Sequence, residues 1–325
     1  PDLALLATFV RKPYLSWTID PLPAGRMAVR NGTELASCMV FSHREASVED
    51  FKALEIKDVR PLKLAAPHER RAPVDHTESL KPYSARVSFV GNSLQGDSAG
   101  FMPVLDEHQL ERRVPELDAF LQGIFDARAG HSNWCGLTDP AEALPEEFLI
   151  YVTAQSERIQ CLEAANGRLA HLLRMERVKS LSDAGIQVWG DTGWETAGVT
   201  YRGVANHGEE LTRIYCASQL NLDIPRLYQR DIITMRVFDV LASGGALLAE
   251  ECSELLELFT PGEHLFSYAD STSLATRVED LLAEPEKCRE VASNGHKLVV
   301  GEHTMEHRFQ VILDACYERG WLKPL

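Results

Sequence analysis

The stretch that decides the fold is YQRDIITMRVFDVLASGGALLAEE, residues 228–251. Apolar residues recur at helical spacing between Asp231 and Ala242, so this part is predicted to form a helix. The Ser-Gly-Gly sequence at 243–245 ends the helix, because glycine readily adopts the backbone angles found at a helix C-terminus. The apolar run Ala246–Ala249 then predicts a buried strand of a parallel sheet. A helix followed directly by a buried strand predicts an α/β protein.

Polar residues around this predicted helix could form a ligand site. Asp231 and Asp239 are eight residues apart, which places them on roughly the same helix face. There they could hold a sugar at one end and a ribose at the other, although solvated surface acids show the same spacing. Glu250 and Glu251 end the next strand, where open α/β sheets bind ligands. A helix N-terminus near Arg230 would also offer free N–H groups to a phosphate.

The composition is that of an ordinary globular protein, with 45% apolar and 25% charged residues. A chain of 325 residues is long enough for two domains with complete cores. No apolar run approaches the ~20 residues that span a bilayer, so no membrane span is predicted. The net charge of −15 repels phosphate backbones, and a nucleic-acid partner is therefore not expected.

The cysteines and histidines do not predict a metal site. Seven cysteines are widely spaced without a CxxC pair, which indicates reduced thiols and a cytoplasmic protein. His303 and His307 are one helical turn apart, but they lack the HExxH pattern and an evident third ligand, so a structural role is predicted. The loop at 130–139 contains His131 and Cys135 but no partner at ligand spacing.

Residues 1–82 are predicted to form a partial N-terminal domain. Strand patterns at Tyr14–Ile19 and Ala36–Phe41 give an α/β alternation, but the segment supplies too few strands for a complete nucleotide-binding domain. Its last part, from Ala66 to Ala85, is rich in proline, histidine and charge. This composition predicts a linker in which Arg71 is solvated.

Residues 83–325 are predicted to form a second α/β domain with a helical insertion at about 103–185. Apolar spacing places the main insertion helices at 110–127, 143–160 and 162–183. Outside the insertion, buried strands repeatedly end in small or polar residues. Because parallel strands bring their carboxyl ends to one edge of a sheet, these residues are predicted to meet at a ligand-binding edge.

Several short motifs, most of them at strand ends, follow one another in a characteristic order and spacing. They are SFVGN (88–92), VWGD (188–191), YRGV (201–204) and IYCASQLNLDI (214–224), followed by RVFDVLASGGALLAEE, ELFTPGEHLFSYAD and GEHTMEHRF. Over about residues 85–315 the chain resembles the CgeB/YkvP-like glycosyltransferases, a branch of the GT-B, family-4-like enzymes. The resemblance implies two Rossmann-like domains facing a cleft, and the N-terminal one is expected to be incomplete in this chain.

The resemblance also implies a reaction. A sugar would pass from a nucleotide-diphosphate sugar, first of all a UDP-sugar, with GDP- and dTDP-sugars as alternatives, to an acceptor. The acceptor is a protein, a glycan or a small molecule. No prosthetic group and no metal are implied, because GT-B proteins generally stabilise the leaving group with protein groups.

Individual residues receive roles from the same resemblance. Asp239 matches the acid that binds the donor's ribose, and Asp231 falls where related enzymes place a longer glutamate that faces the donor sugar. Gly203 and Val204 would lie near the base. The catalytic candidates are Asp20, Asp231 and Arg236. The donor-binding candidates are Gly91, Asn92, Gly190, Gly203, Val204, Asn221, Arg230, Asp239, Gly244, Gly245 and Glu250.

Asp20 is the candidate base that would activate the acceptor. It follows a predicted strand in WTIDP and would come from the first domain. An aspartate that caps a turn before proline fits the same pattern.

Other functions remain open at this stage. A nucleotide-sugar-binding module or regulator would bind the donor without turnover. A sugar-nucleotide epimerase would convert the donor with no acceptor present. A Rossmann dehydrogenase is the weakest alternative, because no GxGxxG follows a predicted strand.

Overall fold

The computed structural model describes residues 7, 9, 12–19, 38–53, 56–74, 78–131 and 134–323. Internal contacts divide the chain into two compact units, of which one comprises Pro1–Ala65 with Glu302–Leu325 and the other Ala66–Gly301. The sequence places a boundary at 82/83 instead. Segment 66–82 falls within the second unit because it contributes buried side chains there, among them Arg71 and Leu80.

The first unit contains a three-stranded parallel sheet in the order β1-β2-β3. Its strands are β1 (Tyr14–Thr18), β2 (Cys38–Ser42) and β3 (Asp58–Pro61), and its helices are Ala46–Ala53 and Met305–Glu318. Strand β2 is buried throughout, and its alternate residues enter two different apolar clusters, as the pleat of a strand requires. The two predicted strands are confirmed to within about two residues.

The second unit is built on a six-stranded, all-parallel sheet in the order β6-β5-β4-β7-β8-β9. The strands are β4 (Ala85–Val90), β5 (Ile186–Trp189), β6 (Thr200–Tyr201), β7 (Ser218–Asp223), β8 (Leu247–Glu250) and β9 (Phe266–Tyr268). Each coincides with a predicted strand to within about two residues. Val, Ile, Leu and Phe side chains from these strands fill the core, as expected for a sheet covered on both faces.

The chain reverses direction across this sheet between β4 and β7. It runs outward from β4 to β6, returns to place β7 beside β4, and then continues to β9 on the other side. Ser88 and Phe89 of β4 pair with Asn221 and Leu222 of β7 at this point. In doubly wound sheets such a switch point opens a crevice at the carboxyl ends of the strands.

Helices and 3₁₀ turns connect the strands of the second unit. The helices are Met102–Glu107, Val114–Arg128, Glu146–Leu149, Gln155–Lys179, Glu209–Ala217, Met235–Ala242, Ser253–Leu258, Ser271–Leu282 and Pro285–Glu302. None of the helices that the structure describes is both long enough and apolar enough to cross a bilayer.

The insertion between β4 and β5 is divided differently from the prediction. The predicted helix at 143–160 is wrong, because Glu146–Leu149 ends in a turn and one continuous helix then spans Gln155–Lys179. The guanidinium of Arg158 donates to the carbonyl oxygens of Val152 (2.9 Å) and Leu149 (3.4 Å). These bonds satisfy two carbonyl groups at the break between the helices. Apolar spacing alone does not reveal such side-chain bonds.

The decisive helix begins four residues later than predicted, at Met235 rather than Asp231. Thr234 is extended, and its hydroxyl donates to Asp223 at the end of β7 (3.1 Å). The backbone N–H of Ile233 donates to a carboxylate oxygen of Glu254 (2.7 Å). Tertiary partners therefore hold the residues before Met235 in an extended path, and the prediction that Asp231 and Asp239 share one helix face is wrong.

Candidate functional site

A cavity of about 370 Å³ lies at the carboxyl edge of the six-stranded sheet, at the switch point. The end of β4 contributes Val90, Gly91 and Asn92, and the end of β5 contributes Trp189 and Gly190. The other lining residues follow β6 and β7 or come from neighbouring helices: Arg174, Val204, Ala205, His207, Leu211, Tyr215, Arg226, Gln229, Thr234, Met235, Arg236 and Asp239.

Two glycines at this edge allow a close approach of backbone and side chains. A Cβ on Gly91 would lie 2.7 Å from an Nη atom of Arg236 and 2.9 Å from the Phe89 ring. A Cβ on Gly190 would lie 2.2 Å from the carbonyl oxygen of Gly91. Both positions therefore exclude a side chain, and the ends of β4 and β5 present backbone groups to the cavity.

Arg236 is fixed by three partners. Its Nε donates to the carbonyl oxygen of Val90 (2.7 Å), its Nη1 pairs with Asp223, and its guanidinium carbon lies 4.9 Å from the centre of the Phe89 ring. Burial lowers the pKa of Arg236, but the charge and hydrogen bond of Asp223, together with Tyr215 and the charge of Asp239, outweigh it, so the net pKa is raised. Arg236 is therefore a permanently charged cation at the cavity wall.

Two further arginines line the same cavity. Arg174 donates to the carbonyl oxygens of Asn92 (2.6 Å) and Ile224 (3.1 Å), while its buried Nε has no hydrogen-bond partner among the described residues. Burial, followed by the neighbouring charges of Arg236 and Arg226, lowers the pKa of Arg174 to about 9. An anion in the cavity would relieve this crowding of positive charge.

The amino end of helix Met235–Ala242 also opens into the cavity. The Thr234 side chain, which precedes this helix, does not cap it, because its hydroxyl donates to Asp223 instead. Thr234, Met235 and Arg236 line the cavity, so the amino end of the helix and the positive end of its dipole lie at the cavity wall. This arrangement suits a phosphate group.

Asp239 lies one turn further along the helix, and its side chain is 18% exposed. Its Oδ1 accepts a hydrogen bond from Nε of Arg71 at 3.2 Å. Burial raises the pKa of Asp239, and the positive charges of Arg71 and Arg236 oppose this effect. Arg71 thus orients the carboxylate of Asp239, which remains at the wall of the cavity.

The structure brings together about half of the predicted site residues. Gly91, Asn92, Gly190, Val204, Arg236 and Asp239 line one cavity. The others that the structure describes do not line it: Asp231, Gly203, Asn221, Arg230, Gly244, Gly245 and Glu250. The prediction for Asp20 lies outside the described residues.

Arg230 and Glu250 are occupied with each other in the interior. Arg230 is 3% exposed, pairs with Glu250, and donates to the carbonyl oxygens of His131 (2.9 Å) and Trp134 (3.1 Å). Arg177 lies 3.8 Å from the same carboxylate. This buried cluster anchors the loop of the helical insertion, a structural role in place of the predicted donor contacts.

Asn221 also has a structural role. Its Oδ1 accepts from Ser88 (2.7 Å), and its Nδ2 donates to the carbonyl oxygens of Tyr215 and Ala246 (both 3.1 Å). Gly245 packs against the same amide, because a Cβ there would lie 2.7 Å from Nδ2 of Asn221. These contacts hold the start of β8 beside β7.

Sequence reasoning missed several residues of the site. Arg71 was predicted to be solvated, and that prediction is wrong, since it is 6% exposed. Arg174 lies in the helical insertion and is the 82nd residue after Asn92, whose carbonyl oxygen it contacts. Asp223 ends β7, and its pairing with Arg236 holds that guanidinium at the cavity wall.

No cluster of three or more potential metal ligands occurs in the part of the chain that the structure describes. His307 instead bonds to Thr304 at the start of the last helix, and His303 lies 2.9 Å from an Nη atom of Arg308. These contacts give both histidines structural partners at the start of the last helix.

Residues 170–314 match a family model described as glycosyl transferase-like. The match begins within helix Gln155–Lys179 and includes every residue of the cavity wall after Asn92. It covers a little under half of the chain. No curated protein is similar enough in sequence to count as a match.

Several solved glycosyltransferases share the fold at low sequence identity. Anabaena HepE, in complex with UDP and glucose, has 12% identity and a TM-score of 0.54, covering 97% of this chain and 74% of that one. A glycosyltransferase from Rickettsia africae has 8% identity and a TM-score of 0.53, covering 97% and 73%. Sucrose-phosphate synthase from Thermosynechococcus elongatus has 14% identity and a TM-score of 0.50, covering 87% and 58%.

These similarities confirm the predicted fold class. The chain has the mixed α/β architecture of GT-B glycosyltransferases, with parallel sheets. The chain spans 58% of the length of the sucrose-phosphate synthase that it matches.

Proposed function

We propose that this protein transfers a sugar from a nucleotide-diphosphate sugar to an acceptor. The observation that carries the proposal is the convergence of Arg174, Arg226 and Arg236 with a helix amino end on one cavity at the switch point. A diphosphate matches this set of cations and N–H groups, and such groups stabilise the negative charge that develops on a departing nucleotide.

In this proposal the ribose of the nucleotide lies at Asp239 and its base lies at the chain that follows β6. The carboxylate of Asp239 accepts hydrogen bonds from the two ribose hydroxyls, since its Oδ1 is already oriented by Arg71. Val204, Ala205 and Leu211 form the part of the wall near the base. The diphosphate then reaches Arg236 and the helix amino end, and the sugar lies beside Gly91 and Asn92.

The reaction exchanges one bond of the anomeric carbon for another. The acceptor oxygen forms a bond to this carbon, the bond from the carbon to the diphosphate oxygen breaks, and the electron pair leaves with the nucleoside diphosphate. The acceptor's proton passes to a base, for which Asp20 is our proposed group. Arg236 meets the charge on the leaving oxygen, so the proposed reaction does not require a metal.

The finer assignments are proposals of the same kind. UDP is our first choice of nucleotide, because HepE was solved with UDP and with UDP-glucose. The CgeB-like branch is proposed from the order of the strand-end motifs. The acceptor is a protein, a surface glycan or a small molecule.

All seven cysteines lie in described parts of the chain without a disulfide, which supports a reducing, cytoplasmic compartment.

The first test is ligand-induced thermal stabilisation by UDP, GDP, dTDP, ADP and CMP. A ligand that binds only the folded state raises the melting temperature, so the correct diphosphate identifies itself at saturating concentration. We expect a shift with one diphosphate, and Asp239→Ala should weaken its affinity by about tenfold, as expected for the loss of hydrogen bonds to a charged acceptor.

Turnover is then measured with the matching nucleotide sugar. Release of the nucleoside diphosphate in the presence of an acceptor supports a transferase, whereas binding without release supports the alternative of a nucleotide-sugar-binding module. Epimerisation of the donor without an acceptor would reassign the reaction. A well-folded sample that binds none of the five nucleotides would overturn the proposed donor site.

A further inference from the structure

Arg71 is buried in the second unit although it lies in a segment rich in proline and charge. Its guanidinium uses all three nitrogens. Nε donates to Asp239 (3.2 Å), Nη1 donates to the carbonyl oxygen of Gly208 (3.0 Å) and to the Thr212 hydroxyl (3.3 Å), and Nη2 donates to the carbonyl oxygen of His207 (2.8 Å). A flexible linker would not order such a set of partners.

The partners of Arg71 belong to two different walls of the cavity. Asp239 lies on helix Met235–Ala242, whereas His207 lies in the loop that follows β6, together with Val204 and Ala205. Arg71 itself does not line the cavity. The guanidinium of Arg71 therefore connects the carboxylate of Asp239, on the proposed ribose side, to the loop that contains His207, on the proposed base side. It does so from outside the cavity.

The segment that carries Arg71 is itself attached to this loop region. The hydroxyl of Thr212 donates to the carbonyl oxygen of Arg70 (3.3 Å) and also accepts from Arg71. The N–H of Val74 donates to the sulfur of Cys216 on the same helix (3.4 Å). The chain around Arg71 is thus held against helix Glu209–Ala217, and the position of the guanidinium is fixed.

We propose that Arg71 is a positioning residue for the nucleoside half of the donor. It sets the distance between Asp239 and the loop at 204–208, and so makes the site selective for a nucleoside that carries a ribose diol. This inference rests on the proposed function. Arginine suits the task because its planar fork can hold two walls at once, whereas lysine offers a single point charge.

The test compares the binding of UDP with that of 2′-deoxy-UDP by calorimetry. In the parent protein we expect UDP to bind about tenfold more tightly, since the deoxy analogue lacks one hydrogen bond to a carboxylate. In Arg71→Lys this preference should fall to about twofold or less, because the carboxylate keeps a cation nearby but loses its orientation. Arg70→Gln alters an exposed neighbour and should retain the full preference.

A double-mutant cycle separates positioning from a general loss of structure. If Arg71 acts through Asp239, adding Arg71→Lys to Asp239→Asn should change the UDP affinity by less than twofold. Thr212→Val, which removes one acceptor of Arg71, gives a milder probe if Arg71→Lys fails to fold, and it should lower the preference in the same direction.

Four outcomes would overturn the inference. Equal weakening of UDP and 2′-deoxy-UDP in Arg71→Lys, or additive effects of the two substitutions, would show that Arg71 serves only folding. A parent protein that binds no nucleoside diphosphate would refute the proposed function as well, whereas a parent that binds UDP and 2′-deoxy-UDP equally refutes the diol assignment alone.

Discussion

The six-stranded sheet has a cavity at each edge, and the two cavities differ in chemistry. The cavity at the amino ends of β4, β7 and β8 has a volume of about 680 Å³, and the one at the carboxyl ends of β4 and β5 about 370 Å³. The larger one is lined mainly by small residues, such as Ala85, Ser218 and Ala246, and it also contains Arg86 and Arg289 but no acidic residue among the described residues that line it. The smaller one contains three arginines and an aspartate.

The difference shows that, in a parallel sheet, the end of the strands at which a cavity lies matters more for anion binding than the volume of the cavity. Each strand is followed by a loop and then by the amino end of a helix, so the positive ends of helix dipoles collect at the carboxyl edge. Arg236 and the glycines at the ends of β4 and β5 add to that edge. An anion is therefore expected in the smaller cavity, and the predictions below test this contrast.

The largest effect is expected from Arg236→Gln. Loss of a charged donor to the diphosphate should weaken UDP binding by about 100-fold. It also leaves the buried Asp223 without its cationic partner, which costs about 3–5 kcal/mol of folding stability. Calorimetry and thermal unfolding measure the two losses. Arg86→Gln at the amino edge is the matched control and should change neither by much.

Adding Asp223→Asn to Arg236→Gln separates these two effects. The double variant should recover part of the lost stability, because no buried charge remains unpaired, while UDP binding stays weak. Recovery of binding together with stability would mean that Arg236 supports the fold and does not contact the ligand.

A pair of glycine substitutions gives a smaller effect. Gly91→Ala places a Cβ 2.7 Å from an Nη atom of Arg236, and Gly245→Ala places one 2.7 Å from Nδ2 of Asn221. Each should cost about 1–3 kcal/mol of stability through overpacking. Only Gly91→Ala should also weaken UDP binding, by about tenfold, since Gly245 lies at the amino edge. Similar affinities in the two variants would count against the carboxyl-edge assignment.

The smallest effect concerns pH. Burial raises the pKa of Asp239 above its ordinary value of 3.8, against the opposing charges of Arg71, Arg236 and His207. Since the ionised carboxylate is the form that accepts ribose hydroxyls, UDP affinity should fall as the pH drops through this raised pKa. The diphosphate of UDP also titrates, so Asp239→Asn serves as the control. The difference between the two pH profiles isolates Asp239, and identical profiles would exclude its role.

The same raised pKa has an opposite consequence for folding. The protonated carboxyl is favoured in the folded state, so its contribution to stability is present at low pH and is lost as the pH rises through the folded-state pKa. Ligand binding and folding thus respond to Asp239 in opposite directions. This opposition is common where a site retains a charge for function.

Local pattern sufficed for most of the fold. Most strands of the second unit are rich in apolar residues that need burial, and such a segment is visible without knowledge of its neighbours. Local pattern places Arg236 and Asp239 on the helix between β7 and β8, but the roles predicted for them come from the family resemblance. Pattern failed at helix ends, such as Met235, where distant side chains replace the hydrogen bonds of the first turn.

The sequence by itself determined the strands, their parallel character and the edge at which their polar ends meet. Only the tertiary structure decided which arginines serve the cavity: it placed Arg71 behind Asp239 and Arg174 at the wall, and it committed Arg230 to Glu250. The physical reason is the distance along the chain over which each kind of interaction acts. Strand and helix formation depend on the next few residues, whereas the partner of a long charged side chain is chosen among groups far away in the chain, by burial and charge in the folded state.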